Sequence, residues 1–265
     1  MKCSIVTPNF NGARFLEATL ASVAAQRAPG VTVEHWIVDG GSSDGSLEII
    51  KRFLGPETFL IAERDRGPAD AINKGLRRVT GELVAWLNAD DLYAPGALAR
   101  AAAVLAAQPR AALAFGRCRI VDEGGAEIRG GITRFKELFF PLSSRFTFQC
   151  INYISQPAMF FRRAALERAG LLRDDLTAAW DYEFVLRLWR QGGAARIPGT
   201  PLADFRWHPG SISGRAFAQQ FREEWHAAAA DAGRWSPQAL VHLGVRYGIV
   251  GIYALMARHR NGAAR

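Results

Sequence analysis

Leu83-Val84-Ala85-Trp86-Leu87 is a short apolar run that stops at Asn88-Ala89-Asp90-Asp91. A run of that length reads as a buried strand. Carboxylates at the end of a buried strand are costly unless they meet a cation or hydrogen-bond donors. Hard oxygen ligands suit Mg²⁺ or Mn²⁺, and those ions suit a diphosphate. Asp is also a good N-cap, so Asp90 and Asp91 would equally serve to start the Ala-rich helix expected around Pro95 to Ala107. The cluster by itself leaves both readings open.

Toward the N-terminus the chain alternates short apolar runs with helical patterns. Cys3–Thr7, Val33–Val38 and Phe59–Ala62 read as strands. Between them, Leu16, Leu20 and Val23 share one helix face, and Leu47, Ile50 and Leu54 another that Gly55-Pro56 stops. A third helix is expected from about Ala69 to Val79. This is the pattern of βαβ units and an α/β fold with a mostly parallel sheet. Ligands in such sheets sit outside the carboxyl ends of the strands, where the polar clusters of this chain fall.

One of those clusters is Asp39-Gly40-Gly41-Ser42-Ser43-Asp44-Gly45. Its small residues let backbone N–H groups approach a nucleotide closely. It lacks both the G-x-G-x-x-G order and the Lys-Ser/Thr of a P-loop, and turn chemistry explains it as well. The stretch Glu63 to Gly75 mixes charges at a helix start, which a solvated helix N-terminus with Asp70 near the positive dipole end would also explain.

Downstream, a strand is expected at Ala111–Phe115, a hairpin turning at Glu123-Gly124-Gly125, and a strand-helix unit from Pro157 to Gly170. A helix starts near Asp181, a strand ends at Trp207-His208, the loop Pro209 to Gly214 follows, and residues beyond Phe217 read as helical. The stretch Phe135 to Tyr153 is rich in aromatics, at a density that ordinary core also shows.

The 265 residues, 49% of them hydrophobic, are enough for one large domain or a domain with an appendage, and they exclude general disorder. Cys3, Cys118 and Cys150 show no C-x-x-C spacing, so neither a disulfide framework nor a thiolate zinc site is indicated. The apolar stretch after Met1-Lys2 stops at Pro8, too short for a signal peptide, so a cytoplasmic protein is expected. Basic residues outnumber acidic ones 33 to 25, and five arginines but no acid follow Asp231. Such a tail points to lipid headgroups, nucleic acid or a phosphorylated substrate. Tyr247–Ala257 is shorter than the ~20 residues of a spanning helix. The tail would therefore pack on the body or lie in a membrane interface with Arg258, Arg260 and Arg265 on lipid phosphates.

Taken in order, Ile5-Val6-Thr7-Pro8-Asn9-Phe10-Asn11, Val38 to Gly45, Asp70-Ala71-Ile72-Asn73-Lys74-Gly75, Trp86 to Asp91, Gln156-Pro157-Ala158-Met159-Phe160-Phe161 and Trp180-Asp181-Tyr182-Glu183-Phe184 resemble glycosyltransferase family 2 from about Met1 to Ser213. The resemblance implies a GT-A fold, a nucleotide-diphospho-sugar donor, a Mg or Mn cation and inversion at the anomeric carbon. It implies a base and ribose pocket at Thr7, Pro8, Asn9 and Asp39, with Arg66, Asp70 and Asn73 along the donor side. Asn88, Ala89 and Asp90 take the family's D-x-D position. Because Asn88 replaces the first carboxylate, the ion is assigned to Asp90, with Asn88 as a neutral neighbour. Asp181 is implied as general base, though it would also serve as an N-cap. His208 would contact the diphosphate or ion, or be structural.

The implied organisation is a GT-A catalytic domain over 1–215, split into a nucleotide-sugar half (1–115) and an acceptor-side half (116–215), followed by a helical basic tail (216–265). Neither the Q-x-x-R-W motif nor the several spanning helices of processive synthases is present. The expectation is therefore single addition to a glycan or lipid-linked acceptor in bacterial surface polysaccharide or glycolipid assembly, at the inner face of the cytoplasmic membrane. A sugar nucleotidylyltransferase would instead carry a basic Gly-rich loop where this chain has Pro8-Asn9-Phe10-Asn11-Gly12. A nucleic-acid binder would leave the strand-end acids to repel phosphate, so no nucleic-acid partner is expected.

Overall fold

Four strands run parallel at one side of a seven-stranded sheet ordered β3-β2-β1-β4-β8-β6-β9 in a computed structural model, which describes residues 1–211 and 216–248. They are β1 (Lys2–Asn9), β2 (Thr32–Asp39), β3 (Thr58–Ala62) and β4 (Leu83–Trp86). Helices α1 (Ala13–Ala24), α2 (Ser46–Lys51) and α3 (Pro68–Leu76) connect them, as the βαβ pattern predicts. The apolar runs are continuous because the sheet is buried on both faces. Along β1, Ile5 enters one core with Val33, Ala85 and Phe160, while Val6 enters the other with Trp86, Phe161 and Phe184. Helix α3 lies close on this sheet because Gly75 has no side chain; a Cβ there would sit 2.4 Å from Val6 Cγ1.

The second half adds β5 (Leu92–Tyr93), α4 (Ala97–Ala107), β6 (Leu113–Phe115), β7 (Cys118–Val121), α5 (Gly130–Glu137), α6 (Arg145–Cys150), β8 (Met159–Arg162), α7 (Arg163–Ala169), α8 (Trp180–Trp189), β9 (Ala194–Arg196), β10 (Ala203–Arg206) and α9 (Phe217–Ala232). Strand β8 inserts antiparallel between β4 and β6. The two-residue β5 and three-residue β9 are absent from the sequence reading because neither carries enough residues to show a period. With β10 and β7, β5 forms a separate sheet of order β5-β10-β7.

Most of the aromatic stretch is core. Phe140, Phe148 and Tyr153 are buried, and Phe115–Phe140 and Phe148–Tyr153 meet edge to face with centroids 5.2 and 5.5 Å apart. Helix α9 packs on α8 and α6, ends before Gly233 (φ 98°), and a further helix runs over 237–248 with Ala239 and His242 buried. No helix among the described residues is long and apolar enough to cross a membrane. Arg258, Arg260, Arg265, nearly all of the run Tyr247–Ala257, and the loop positions 212–214 lie outside the described residues.

Candidate functional site

Strand β4 delivers Asn88 to Asp91 into a tight turn at its carboxyl end. The turn is held by the Asp91 N–H on the Asn88 carbonyl (3.1 Å) and by the Thr19 hydroxyl of α1, 2.9 Å from the carbonyls of Ala89 and Asp91. The two carboxylates then diverge. Asp91 is fully buried; its Oδ1 accepts the Arg206 N–H at 2.9 Å, and the Asn88 amide lies 3.3 Å from Oδ2. Burial, with the charge of Asp90 beside it, pushes the Asp91 carboxyl well above the usual carboxylate range. Asp90 is half-buried and faces outward to His208, whose Nε2 lies 3.0 Å from Oδ2.

Neither acid caps α4. Its N-cap is Gly96 in the left-handed region (φ 72°), so the helix-cap reading of the cluster falls. Sheet β5-β10-β7 makes the Asp90–His208 contact, since β5 follows Asp91 directly and pairs antiparallel with β10, which runs out toward His208.

The expected base pocket is bound mostly to itself. Asp39 Oδ1 accepts the N–H groups of Gly41 (3.0 Å) and Ser42 (2.9 Å), and Oδ2 accepts from Asn9 Nδ2 at 2.7 Å. This Asx-type turn shapes the loop and leaves Asn9 Oδ1 as a buried acceptor without a donor. Gly12 faces that oxygen, where a Cβ would stand 2.5 Å away. Pro8 is a buried backbone link between Thr7 and Asn9. The Thr7 hydroxyl is committed to His35 Nε2 at 2.8 Å, and burial, with the nearby charge of Arg27, holds His35 down at about 3.

On the next loop, Arg66 and Asp70 come together: Asp70 accepts the Arg66 backbone N–H (3.1 Å) and its guanidinium (3.3 Å). Burial alone would raise Asp70, but these donors outweigh it and hold the carboxyl low. Arg66 also pairs with Asp174. Asn73 does not join them. Its amide clamps the backbone of Leu172, donating to the carbonyl and accepting from the N–H, both at 2.9 Å.

Asp181 lies in the first turn of α8, not at its cap. The N-cap is Ala179, and the N–H groups of Thr177, Ala178 and Ala179 are taken by Glu223 of α9, the nearest at 2.9 Å from its Oε2. Asp181 is half-buried, and its Oδ1 accepts the N–H of Tyr182 at 2.7 Å. Burial first, and the charge of buried Glu224 second, push it up to about 6. Glu183, the nearest other carboxylate in sequence, is paired to Arg187 at 2.9 Å. Trp86, two residues before Asn88, packs on Phe184, three after Asp181, with ring centroids 5.9 Å apart, so the strand that carries Asn88 to Asp91 lies directly against α8.

Three residues of this region escaped the sequence reading. Glu223 and Glu224 sit in a helix whose polarity resembles an ordinary solvated face, and both are buried. Arg206 is also buried, with its guanidinium 4.5 Å from the Phe15 ring centroid and Nε and Nη1 unpartnered. Its signal was a charge inside the last residues of an expected strand.

The glycosyl transferase family 2 model matches residues 4–170 of the chain. A PGL/p-HBAD biosynthesis glycosyltransferase of Mycobacterium bovis is 32% identical over 185 residues, covering 68% of this chain and 67% of that relative. Among solved structures, S. aureus TarS 1-349 in complex with UDP-GlcNAc superposes with a TM-score of 0.69 at 19% identity, over 91% of this chain and 69% of that one. The match spans 39% of a longer TarS chain. The mannosyltransferase PcManGT of Pyrobaculum calidifontis, in complex with GDP-Man and Mn²⁺, superposes with a TM-score of 0.64 at 22% identity, over 96% of this chain and 80% of that one. These structures share the GT-A fold that the sequence motifs imply.

Proposed function

The chain belongs to glycosyltransferase family 2, and on that premise we propose that it moves a sugar from a nucleotide-diphospho-sugar to an acceptor hydroxyl by a single inverting displacement. The observation that carries this reading is the meeting of Asp90 and His208 at the carboxyl end of β4, beside the buried Arg206 guanidinium, whose Nε and Nη1 have no partner. Excess positive charge poised next to a carboxylate and an imidazole suits a diphosphate better than a neutral ligand.

Asp90 and His208 are the residues that would hold Mg²⁺ or Mn²⁺. Among the described residues no three His, Cys, Asp or Glu side chains group as a metal site, so a resident ion would take further ligands from the donor phosphates. Bound there, it would neutralise charge on the leaving diphosphate. Arg206 donates to the same phosphates. Asn9, with its unpaired Oδ1, and the loop ordered by Asp39 receive the nucleoside.

Asp181 takes the proton of the attacking hydroxyl on its carboxylate. A base raised to about 6 is still ionised at neutral pH and basic enough to accept that proton. The relative named for PGL/p-HBAD biosynthesis supports a glycolipid or lipid-linked glycan as acceptor. Single addition at the cytoplasmic face of the membrane is the corresponding setting.

A thermal-shift screen of nucleotide sugars with Mn²⁺ identifies the donor, and the radiolabelled donor is then incubated with lipid extract. Transfer of the sugar with inverted anomeric configuration is expected. Nucleotidyl transfer, or retention of configuration, overturns the proposal.

A further inference from the structure

Large apolar side chains stand in solvent on the side of the molecule that backs onto Asp181. Leu138 at the end of α5 is 70% exposed, Leu142 in the following turn 67%, Phe146 on α6 56%, and Trp235 between α9 and the 237–248 helix 80%. Leu240 on that last helix is also exposed, although Ala239 and His242 beside it are buried. A monomer in water rarely gathers such residues without a partner for them.

Hydrogen bonds tie the pieces into one surface. Arg145 and Gln149 of α6 both reach Asp231 Oδ2 in the last turn of α9, at 3.0 and 2.7 Å. Gln238 donates to Gln149 Oε1 at 3.3 Å, so the turn bearing Trp235 and the start of the 237–248 helix lie along α6. The Thr147 hydroxyl holds the Leu142 carbonyl at 2.7 Å and so ties the turn that bears Leu142 to the first turn of α6, which bears Phe146.

The chemistry of this surface selects an occupant. Residues 232–248 contain arginines but no acid. Arg234 stands 5.7 Å from the Trp235 ring and Arg246 5.5 Å from that of exposed Tyr247, and among the described residues neither arginine has an ion pair. Aromatic rings with cations beside them, next to aliphatic side chains, match the boundary between acyl chains and anionic headgroups. Of the exposed rings named, Trp235 and Tyr247 carry such an arginine, both at the 233–248 end of the surface.

We propose that this face seats the protein on an anionic lipid bilayer and so presents Asp181 to acceptors held in that bilayer, a proposal that rests on the transferase reading for its second half. The placement follows from Tyr182, the residue after Asp181. Its hydroxyl donates to the Phe148 carbonyl of α6 at 2.9 Å, and its ring packs on His242 with centroids 5.4 Å apart. Both elements of the apolar face therefore buttress the residue next to the base.

The test is flotation of the full chain with vesicles of phosphatidylcholine alone or with phosphatidylglycerol, at low and high salt, beside gel filtration. Two pairs of exposed substitutions are compared, Leu142→Ser with Phe146→Ser and Trp235→Ala with Leu240→Ser. UDP and GDP binding is measured on the same preparations. Binding to the anionic vesicles, weakened by salt and reduced roughly tenfold or more by either pair while nucleotide binding holds, is the expected result. Absence of vesicle binding in the unmodified chain overturns the proposal, as do variants that float as well as it does. A solution dimer dissolved by the substitutions also overturns it by assigning the face to a second copy. Vesicle binding without any sugar transfer would instead count against the transferase reading and leave the lipid surface standing.

Discussion

Asp90 and His208 are 118 positions apart in the chain, and 3.0 Å separate the Asp90 carboxylate from the imidazole Nε2. The antiparallel pairing of β5 with β10 brings them together, fixed further by the buried Asp91 carboxylate on the Arg206 N–H. Asp91 thus holds the turn in place, and the Asp90 carboxylate is left facing outward to His208.

From that division, Asp90→Ala should abolish most of the gain in UDP or GDP affinity that Mn²⁺ provides, with metal-free binding little changed. Calorimetry with and without the ion measures both. His208→Gln should lose part of the same gain. Undiminished metal-dependent binding in Asp90→Ala places the ion elsewhere.

Asp181→Asn keeps the shape and the helix start but removes the proton acceptor. Sugar transfer should fall by roughly 10²-fold or more, with donor affinity unchanged. In the unmodified enzyme kcat/KM should rise with pH through about 6, as Asp181 loses its proton. Because its folded pKa lies above the unfolded value, Asp181 favours the folded state most at low pH, and that contribution fades as pH rises through about 6. The Asn variant should therefore be no less stable than the parent at pH 7. An active, pH-insensitive Asn variant would exclude Asp181 as base.

Arg206→Met separates a binding role from a packing role. The buried Nε and Nη1 of Arg206 have no partner, so removing them forfeits no hydrogen bond, and the melting temperature should hold or rise. Nucleoside diphosphate affinity should fall by about tenfold or more, the order expected for charge-assisted hydrogen bonds, while affinity for the free nucleoside should stay. Equal losses for both ligands would show that the side chain acts only through packing.

Glu223→Gln tests the carboxylate that holds the turn leading into α8. Hydrogen bonds from three backbone N–H groups to this carboxylate should contribute about 1–2 kcal/mol at pH 7. Burial would raise Glu223, yet those donors hold its pKa low, so the contribution is present above the unfolded pKa and lost as pH falls through the folded one. Denaturant titrations at pH 7 and in acid should show a stability gap that closes in acid. A gap independent of pH would mean that the charge is not what holds this turn.

Much of this protein follows from local sequence. Apolar runs such as Leu83–Leu87 require burial, helix periods such as Leu16, Leu20 and Val23 require a packed face, and Asp39 ahead of two glycines builds its own turn. Each is settled within a few residues, and each appears in the fold where the pattern places it. Tertiary structure alone decided the antiparallel seat of β8 between β4 and β6, because every strand offers the same backbone donors and acceptors to any neighbour. It also decided what polar side chains do. Asn73 clamps Leu172, Glu223 holds the turn before α8, and Arg206 lies buried beside the strand-end acids, roles set by which distant backbone or ring arrives next to them. A carboxylate reads the same in sequence whether it faces a helix end, a partner or a substrate, and only packing fixes which of these its charge meets.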